Sequence, residues 1–424
     1  DLVGLPMANG SLLDEATAAA EAMAMTISIA RGKRRRFIIA DHCHPQTLAV
    51  VKTRAWSMGV ELEVAPAAEV LSLEFETTDD LAGVLVQTPD TEGVMHDLRE
   101  LASGVHEAGA LLAVSPDLLA TALTTPPGEM GADIVSGTTQ RFGCPMGGGG
   151  PHAGYIACAE AHVRKLPGRL VGVSRDAQGD PAYRLAIQTR EQHIKRDKAT
   201  SNICTAQVLP AIIASMYGVY HGPEGLRTIA RRVRALTACF EAGLRKLGYD
   251  LAQAPRFDTV TIKLDEDEAG RVLDAARRRR MNLRDFGDGR IGVALDETTT
   301  RGDVADLLDA FARNTTVGFA IDEIARDVSL EYDAPLERKS QFMTHPVFSR
   351  YHTEHELLRY ITRLQSRDLS LTTSMIPLGS CTMKLNPAAA MLPITWPQFA
   401  QIHPYAPAEQ QRGYHEMYEQ LIEW

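Results

Sequence analysis

Short apolar runs of strand length alternate with amphipathic helical runs through the first 220 residues, and this alternation constrains the fold more than any other feature. Arg36–Asp41, Glu61–Pro66, Leu81–Pro89, Leu111–Ser115 and Asp133–Gly137 read as strands. Helical runs such as Pro45–Met58 and His96–Ala108 separate them. Strands spaced by helices predict a parallel α/β sheet. A second pattern starts near Gly222: a long Arg-rich helix over Glu224–Leu247, then Thr259–Leu264, a helix near Glu268–Arg280, Arg290–Ala294 and a helix near Arg301–Ala312. The reading divides the chain into a large α/β domain over 1–221, a small α+β domain over 222–312, a linker over 313–344 and a further unit over 345–424.

Composition narrows the function classes. The chain has 424 residues, room for two to four domains at roughly 100–200 residues each. Its net charge of −10 argues against nucleic acid, whose binders present basic faces. Six cysteines lie far apart with no CxxC spacing, so neither a zinc ribbon nor a disulfide framework is indicated and no metal site is expected. Ala199–Tyr220 carries no Asp, Glu, Lys or Arg. Pro210 and several polar residues interrupt it, so it reads as a buried core helix capped by Ser201 or Asn202, not a membrane span. The chain opens at Asp1 without a targeting segment and closes in an amphipathic run, Gly413–Trp424. Both ends read as those of a fragment.

Four segments carry possible chemistry. In Asn9–Glu15, Ser11 and Asp14 fit a capping box ahead of a helix over Ala16–Ala30. Two acids in its first turn oppose a phosphate there. The basic run Arg31–Arg36 reads as cations at the negative end of that helix. Gln140–Gly154 contains Gly147, Gly148, Gly149 and Gly150 between two prolines, either a flexible loop or one that lets backbone approach a ligand closely. Arg190–Asn202 reads as a polar surface segment, or as an anion-facing or interface loop. Ser374–Pro387 gathers Ser380, Cys381, Thr382, Lys384 and Asn386 in a loop bounded by Pro and Gly, suited to surrounding one ligand.

These stretches (NGSLLDEATAAAEAM, ADIVSGTTQRFGCPMGGGGPHAGY, REQHIKRDKATSNICTAQ and SLTTSMIPLGSCTMKLNP) together resemble the P-protein of the glycine cleavage system. The similarity spans essentially the whole chain. It implies a fold-type I, pyridoxal-phosphate-dependent, transferase-like enzyme of two homologous halves. It also implies glycine dehydrogenase (decarboxylating) activity: glycine is decarboxylated and its aminomethyl group passes to the lipoyl arm of H-protein. Glycine and lipoylated H-protein are the implied partners, with a homodimer or paired halves as the assembly. This chain resembles most of the first half and the start of the second.

In the family's second half a lysine precedes the glycine loop; here the matching place falls at Gln140, or Arg141 with a one-residue slip. Neither side chain can form a Schiff base. No catalytic residue is therefore expected in this chain, and the lysine is expected beyond Trp424. The complete protein is expected to use pyridoxal 5'-phosphate, the first half not to bind it, and this chain alone to be inactive. Ser380, Cys381, Thr382, Lys384 and Asn386 are the candidates for lining the active-site region. Thr200, Ser201, Asn202 and Gly147–Gly150 are the candidates for substrate or lipoyl entry. A cytoplasmic setting is expected if the source is bacterial, a mitochondrial one if eukaryotic. The competing reading is a non-catalytic subunit that docks a catalytic partner and H-protein. An aminotransferase using Lys384 or Lys198 leaves Gln140 and the acidic helix start unexplained.

Overall fold

In the computed structural model, residues 1–76, 78–150, 152–190, 192–199, 206–313, 317–367 and 387–424 are described. Seven strands form the main sheet: β1 (Met7–Ala8), β2 (Arg36–Ala40), β3 (Glu61–Ala65), β4 (Leu81–Thr88), β5 (Leu111–Pro116), β6 (Ile134–Thr138) and β7 (Gly154–Cys158). Their order is β1-β7-β6-β5-β4-β2-β3. Strands β2 to β6 are mutually parallel, and β7 runs antiparallel to both β6 and β1. All eight residues of β4 are buried, as expected for a central strand covered on both faces.

The strand alternation sorts side chains between two cores. Ile39, Leu85, Ala113, Ile134 and Ile156 face one side, where α1 (Glu15–Ile29) lays Ala18, Ala19, Ala22 and Met23 against them. The small side chains of α1 allow close helix-to-sheet approach. Ile38, Val84, Val86, Leu112 and Val114 face the other side, against Leu101 and Val105. Helix α2 (Pro45–Met58) begins with Pro45 at its first turn and ends at Gly59 in the left-handed conformation, the expected asymmetry of helix stops.

Asp14 is itself the cap of α1, its carboxylate accepting the Thr17 N–H at 2.7 Å. Ser11 is buried ahead of it, so the expected Ser11 box gives way to an Asp14 cap. The basic run also departs from expectation. Arg34 donates to the carbonyls of Leu81 and Ala108, and Arg35 to that of Met58. Arg36 pairs with Glu63 at 2.6 Å. These arginines reach other elements, including the carbonyl ends of neighbouring helices, not the end of α1.

A two-stranded hairpin, β8 (Val171–Arg175) and β9 (Pro181–Leu185), follows the main sheet. The helix Val208–Lys246 then breaks at Gly222 (φ 62, ψ −177) with Pro223 behind it. Its first arm is not the buried core helix expected: Leu209 is 65% exposed, and Val208, Ile212 and Ile213 also face outward. It starts at Val208 after Gln207, which makes no side-chain cap, so Ser201 and Asn202 precede it by too much to serve. No described helix is long and apolar enough to cross a membrane. The second arm leads to an antiparallel sheet, β10 (Thr259–Lys263), β11 (Arg284–Asp285) and β12 (Arg290–Ala294). Phe240, Val272, Val304, Leu308 and Phe311 fill its core.

The segment expected to be a linker is laid down on the main sheet's domain. Leu336 and Phe342 are buried in its core, and the Leu336 carbonyl accepts the Thr125 N–H at 2.7 Å. Arg338 donates to the carbonyls of Leu2 and Thr121 at 2.6 Å each.

Candidate functional site

Ligand sites of open α/β sheets lie beyond the carboxyl ends of their strands. At that edge the chain turns out of β2 into Asp41–His44, out of β4 into Pro89–Asp90, out of β5 into Asp117 and out of β6 into Gln140–Arg141. The start of α1 closes the same edge, because Leu12 and Gly154 exchange backbone hydrogen bonds at 2.7 and 3.2 Å. A Cβ at Gly154 would fall 2.3 Å from the Asp14 carbonyl oxygen. Only glycine admits this approach.

Arg141 dominates the edge. Its guanidinium contacts Asp117 at 2.9 Å, Asp258 at 2.5 Å and Glu297 at 3.1 Å, and lies 5.4 Å from the Phe257 ring centroid. Burial works against its charge, but the three carboxylates more than offset this and raise its pKa further. Asp258 and Glu297 flank strands of the small sheet, so one side chain ties both sheets' domains together.

The helix start adds more acid. Burial, then Asp117 and Asp14, push the Glu15 carboxyl up to about 7. The Tyr155 hydroxyl is buried with no hydrogen-bond partner among the described residues. Burial, then Glu15 and Asp117, push it far above its usual value. His44 is driven down to about 4, by burial first and then by Arg284, and stays neutral at physiological pH.

Beside this cluster, Asp90 is 4% exposed. It contacts His42 Nδ1 at 3.1 Å and His96 Nε2 at 2.9 Å, and accepts the N–H groups of Glu92 and Val94. Burial pushes its carboxyl up, but the bonds from His42, His96 and Val94 prevail and hold it well below the usual carboxylate range. This network fixes the turn that leaves β4 and ties it to His42 in the turn that leaves β2.

A phosphate-bearing pyridine cofactor needs free N–H groups and positive potential for its phosphate, and an amine for its aldehyde. Here Asp14 occupies one helix-start N–H, Glu15 sits beside it, and three carboxylates surround Arg141. Gln140 offers an amide, which is not a nucleophilic amine. The residues present do not fit that cofactor.

Of the other expected site residues, only Gly147–Gly150 lie among the described ones. Gly147, Gly148 and Gly149 all have positive φ. The Gly148 N–H donates to the Ile402 carbonyl at 2.8 Å, and a Cβ on Gly149 would fall 2.9 Å from Pro404 Cβ. The close approach is therefore made by the chain's own backbone near 402–404. Lys195 and Ala199 border a cavity with Ser28 and Met58, at the opposite end of α1 from the glycine loop. Thr200, Ser201, Asn202, Ser380, Cys381, Thr382, Lys384 and Asn386 lie outside the described residues. Asp117, Asp258 and Glu297 were not singled out by sequence. They stand 24, 117 and 156 residues from Arg141, with no local pattern to join them.

The main sheet, its capping antiparallel strand and the smaller domain reached through a long broken helix define the fold of the fold-type I pyridoxal-phosphate-dependent enzymes. A sphingosine-1-phosphate lyase of Burkholderia pseudomallei shares it at TM-score 0.52 and 15% identity, over 75% of this chain and 70% of that one. Residues 1–311 match the family model described as Glycine cleavage system P-protein. A solved glycine decarboxylase (P-protein) of the glycine cleavage system, in inhibitor-bound form, matches with TM-score 0.66 and 33% identity, over 73% of this chain and 72% of that one. The mitochondrial glycine dehydrogenase (decarboxylating) of Flaveria trinervia is 53% identical over 422 residues, 99% of this chain and 40% of the relative. The Synechocystis sp. glycine dehydrogenase (decarboxylating) is 50% identical over 424 residues, 43% of its own length. The chain belongs to the glycine cleavage system P-protein family. It spans about two fifths of the length of these curated relatives.

Proposed function

We propose that this chain is the cofactor-free, supporting part of a glycine decarboxylase. The complete enzyme removes the carboxyl group of glycine and passes the aminomethyl group to the lipoyl arm of H-protein. The observation that carries the reading is the strand edge itself. Where a cofactor's phosphate and aldehyde would sit, this chain presents Glu15, Gln140 and an Arg141 already claimed by Asp117, Asp258 and Glu297.

Pyridoxal phosphate, bound by a catalytic half, supplies the electron sink for decarboxylation. The residues here do other work. Arg141 fixes the small domain against the large one. The Asp90 network fixes the turn after β4 and ties it to the turn after β2. The glycine loop meets the chain at Ile402 and Pro404. Ser380, Cys381, Thr382, Lys384 and Asn386 remain the candidates for lining the active-site region of the catalytic half. Thr200, Ser201 and Asn202 stay candidates for lipoyl entry, and pairing of halves or a homodimer is the assembly that fits. The setting is mitochondrial or cytoplasmic according to source.

Exchange of labelled bicarbonate with glycine tests this reading. The chain with pyridoxal phosphate and H-protein gives no exchange above the enzyme-free rate. Adding the catalytic half as a separate polypeptide produces exchange that depends on both chains. Exchange by this chain alone, or a catalytic half equally fast without it, overturns the proposal.

A further inference from the structure

The far end of α1 carries a cavity that the reading above does not use. It encloses about 490 Å³, within the range of small-molecule sites, roughly 300–1,000 Å³. Arg164, Lys165, Arg190 and Lys195 border it. Among the described residues, one acid, Glu21, also lines it, and that carboxylate is already paired with Arg54 at 2.7 Å. Among the described residues, no carboxylate lies within 4 Å of the Arg164, Lys165 or Lys195 nitrogens. In a chain of net charge −10, such a concentration of cations is not general surface basicity.

The plain alternative is that these cations serve the carbonyl end of α1. That end is already closed by backbone. The N–H groups of Ala30, Arg31 and Gly32 donate to the carbonyls of Thr26, Ser28 and Ile27 at 3.1–3.2 Å. Lys165 instead donates to the Ser28 hydroxyl at 3.0 Å, which fixes its position on the wall. Arg190 is 6% exposed and donates to the carbonyls of Leu166 and Gly168, which holds it in the wall. Met25 and Met58 supply an apolar, adaptable wall.

We propose that this cavity binds a small organic anion, its anionic head facing Arg164, Lys165 and Lys195 and its apolar body against Met25 and Met58. The head is recognised by charge, the body by burial, and neither alone suffices. The site is separate from the strand edge: Glu15 and Ile29 bound a 15-residue helix, about 21 Å long at 1.5 Å per residue.

The test uses the 424-residue chain with methyl-labelled methionine and benzoate as probe, with acetate (head only) and benzyl alcohol (body only) beside it. Benzoate binds saturably at millimolar concentration and shifts the Met25 and Met58 methyl signals, assigned by Met25→Leu and Met58→Leu. Acetate and benzyl alcohol bind at least tenfold more weakly. The exposed-site double variant Arg164→Gln/Lys195→Gln keeps the parent unfolding midpoint and loses at least tenfold in benzoate affinity. Absence of saturable binding, shifts confined to other methionines, or unchanged affinity in the double variant overturns the proposal. None of these outcomes bears on the cofactor-free reading of the strand edge.

Discussion

The two ends of α1 have opposite electrostatics. At its start, Asp14 caps the helix, Glu15 is forced toward neutrality, and Arg141 is surrounded by carboxylates. At its finish, cations line a cavity while backbone N–H groups close the carbonyls. Each arrangement matches the sign that the helix dipole prefers locally. The contrast teaches that a helix start on a fold-type I sheet is not by itself a phosphate site. Side chains decide whether it suits an anion, and here Asp14 takes the Thr17 N–H and Glu15 adds a second acid beside it.

The largest break in this comparison comes from Arg141→Met. Removing the one cation leaves Asp117, Asp258 and Glu297 facing each other in a partly buried site. Breaking such a cluster from one side costs about 3–5 kcal/mol. Urea unfolding at pH 7.5 should show that loss. A loss under about 1 kcal/mol would mean that the side chain contributes little to holding the two domains together.

Glu15→Gln sharpens the comparison through pH. The folded pKa of Glu15 is raised to about 7 from an unfolded value near 4.5, so the folded state binds more protons between these values. Its contribution therefore falls as pH rises from about 4.5 to about 7. The amide removes that slope, and the variant should be more stable than the parent at pH 8 by about 1 kcal/mol, after allowance for partial exposure. Equal stability at pH 5 and a gain at pH 8 is the expected pair of midpoints. A loss at pH 8 would contradict the acidic crowding at the helix start.

Lys165→Met at the other end should be the mildest. It loses one part-exposed hydrogen bond to Ser28, about 0.5 kcal/mol. A loss above 2 kcal/mol would show that this lysine belongs to the fold and not to an open site.

The core elements were legible because they carry period and punctuation together. Pro45–Met58 is a helix with the predicted bounds, and β2 to β6 fall within a residue or two of the expected runs. Strand β7 and the β8–β9 hairpin were not legible: β7 follows a glycine run without a clean alternation, and β8 and β9 rest on no core. The uncharged run before Tyr220 reads as buried because composition reports polarity, not position; Val208, Leu209, Ile212 and Ile213 are exposed. Amphipathic helices after residue 345 were legible in the same way, yet none of the described residues from 344 onward is buried. Sequence shows that a face is apolar, not what covers it. At the strand edge, Gln140 and the acidic helix start could be read locally. The Arg141 cluster could not, because topology alone assembles it.

The most direct test of the account is a pyridoxal-phosphate titration of the 424-residue chain, reading the visible absorption band and trapping bound aldehyde with borohydride. The account predicts no band that saturates below millimolar concentration and no lysine labelled at one per chain. A saturable band with a single trapped lysine would contradict it and make this chain a cofactor enzyme in its own right.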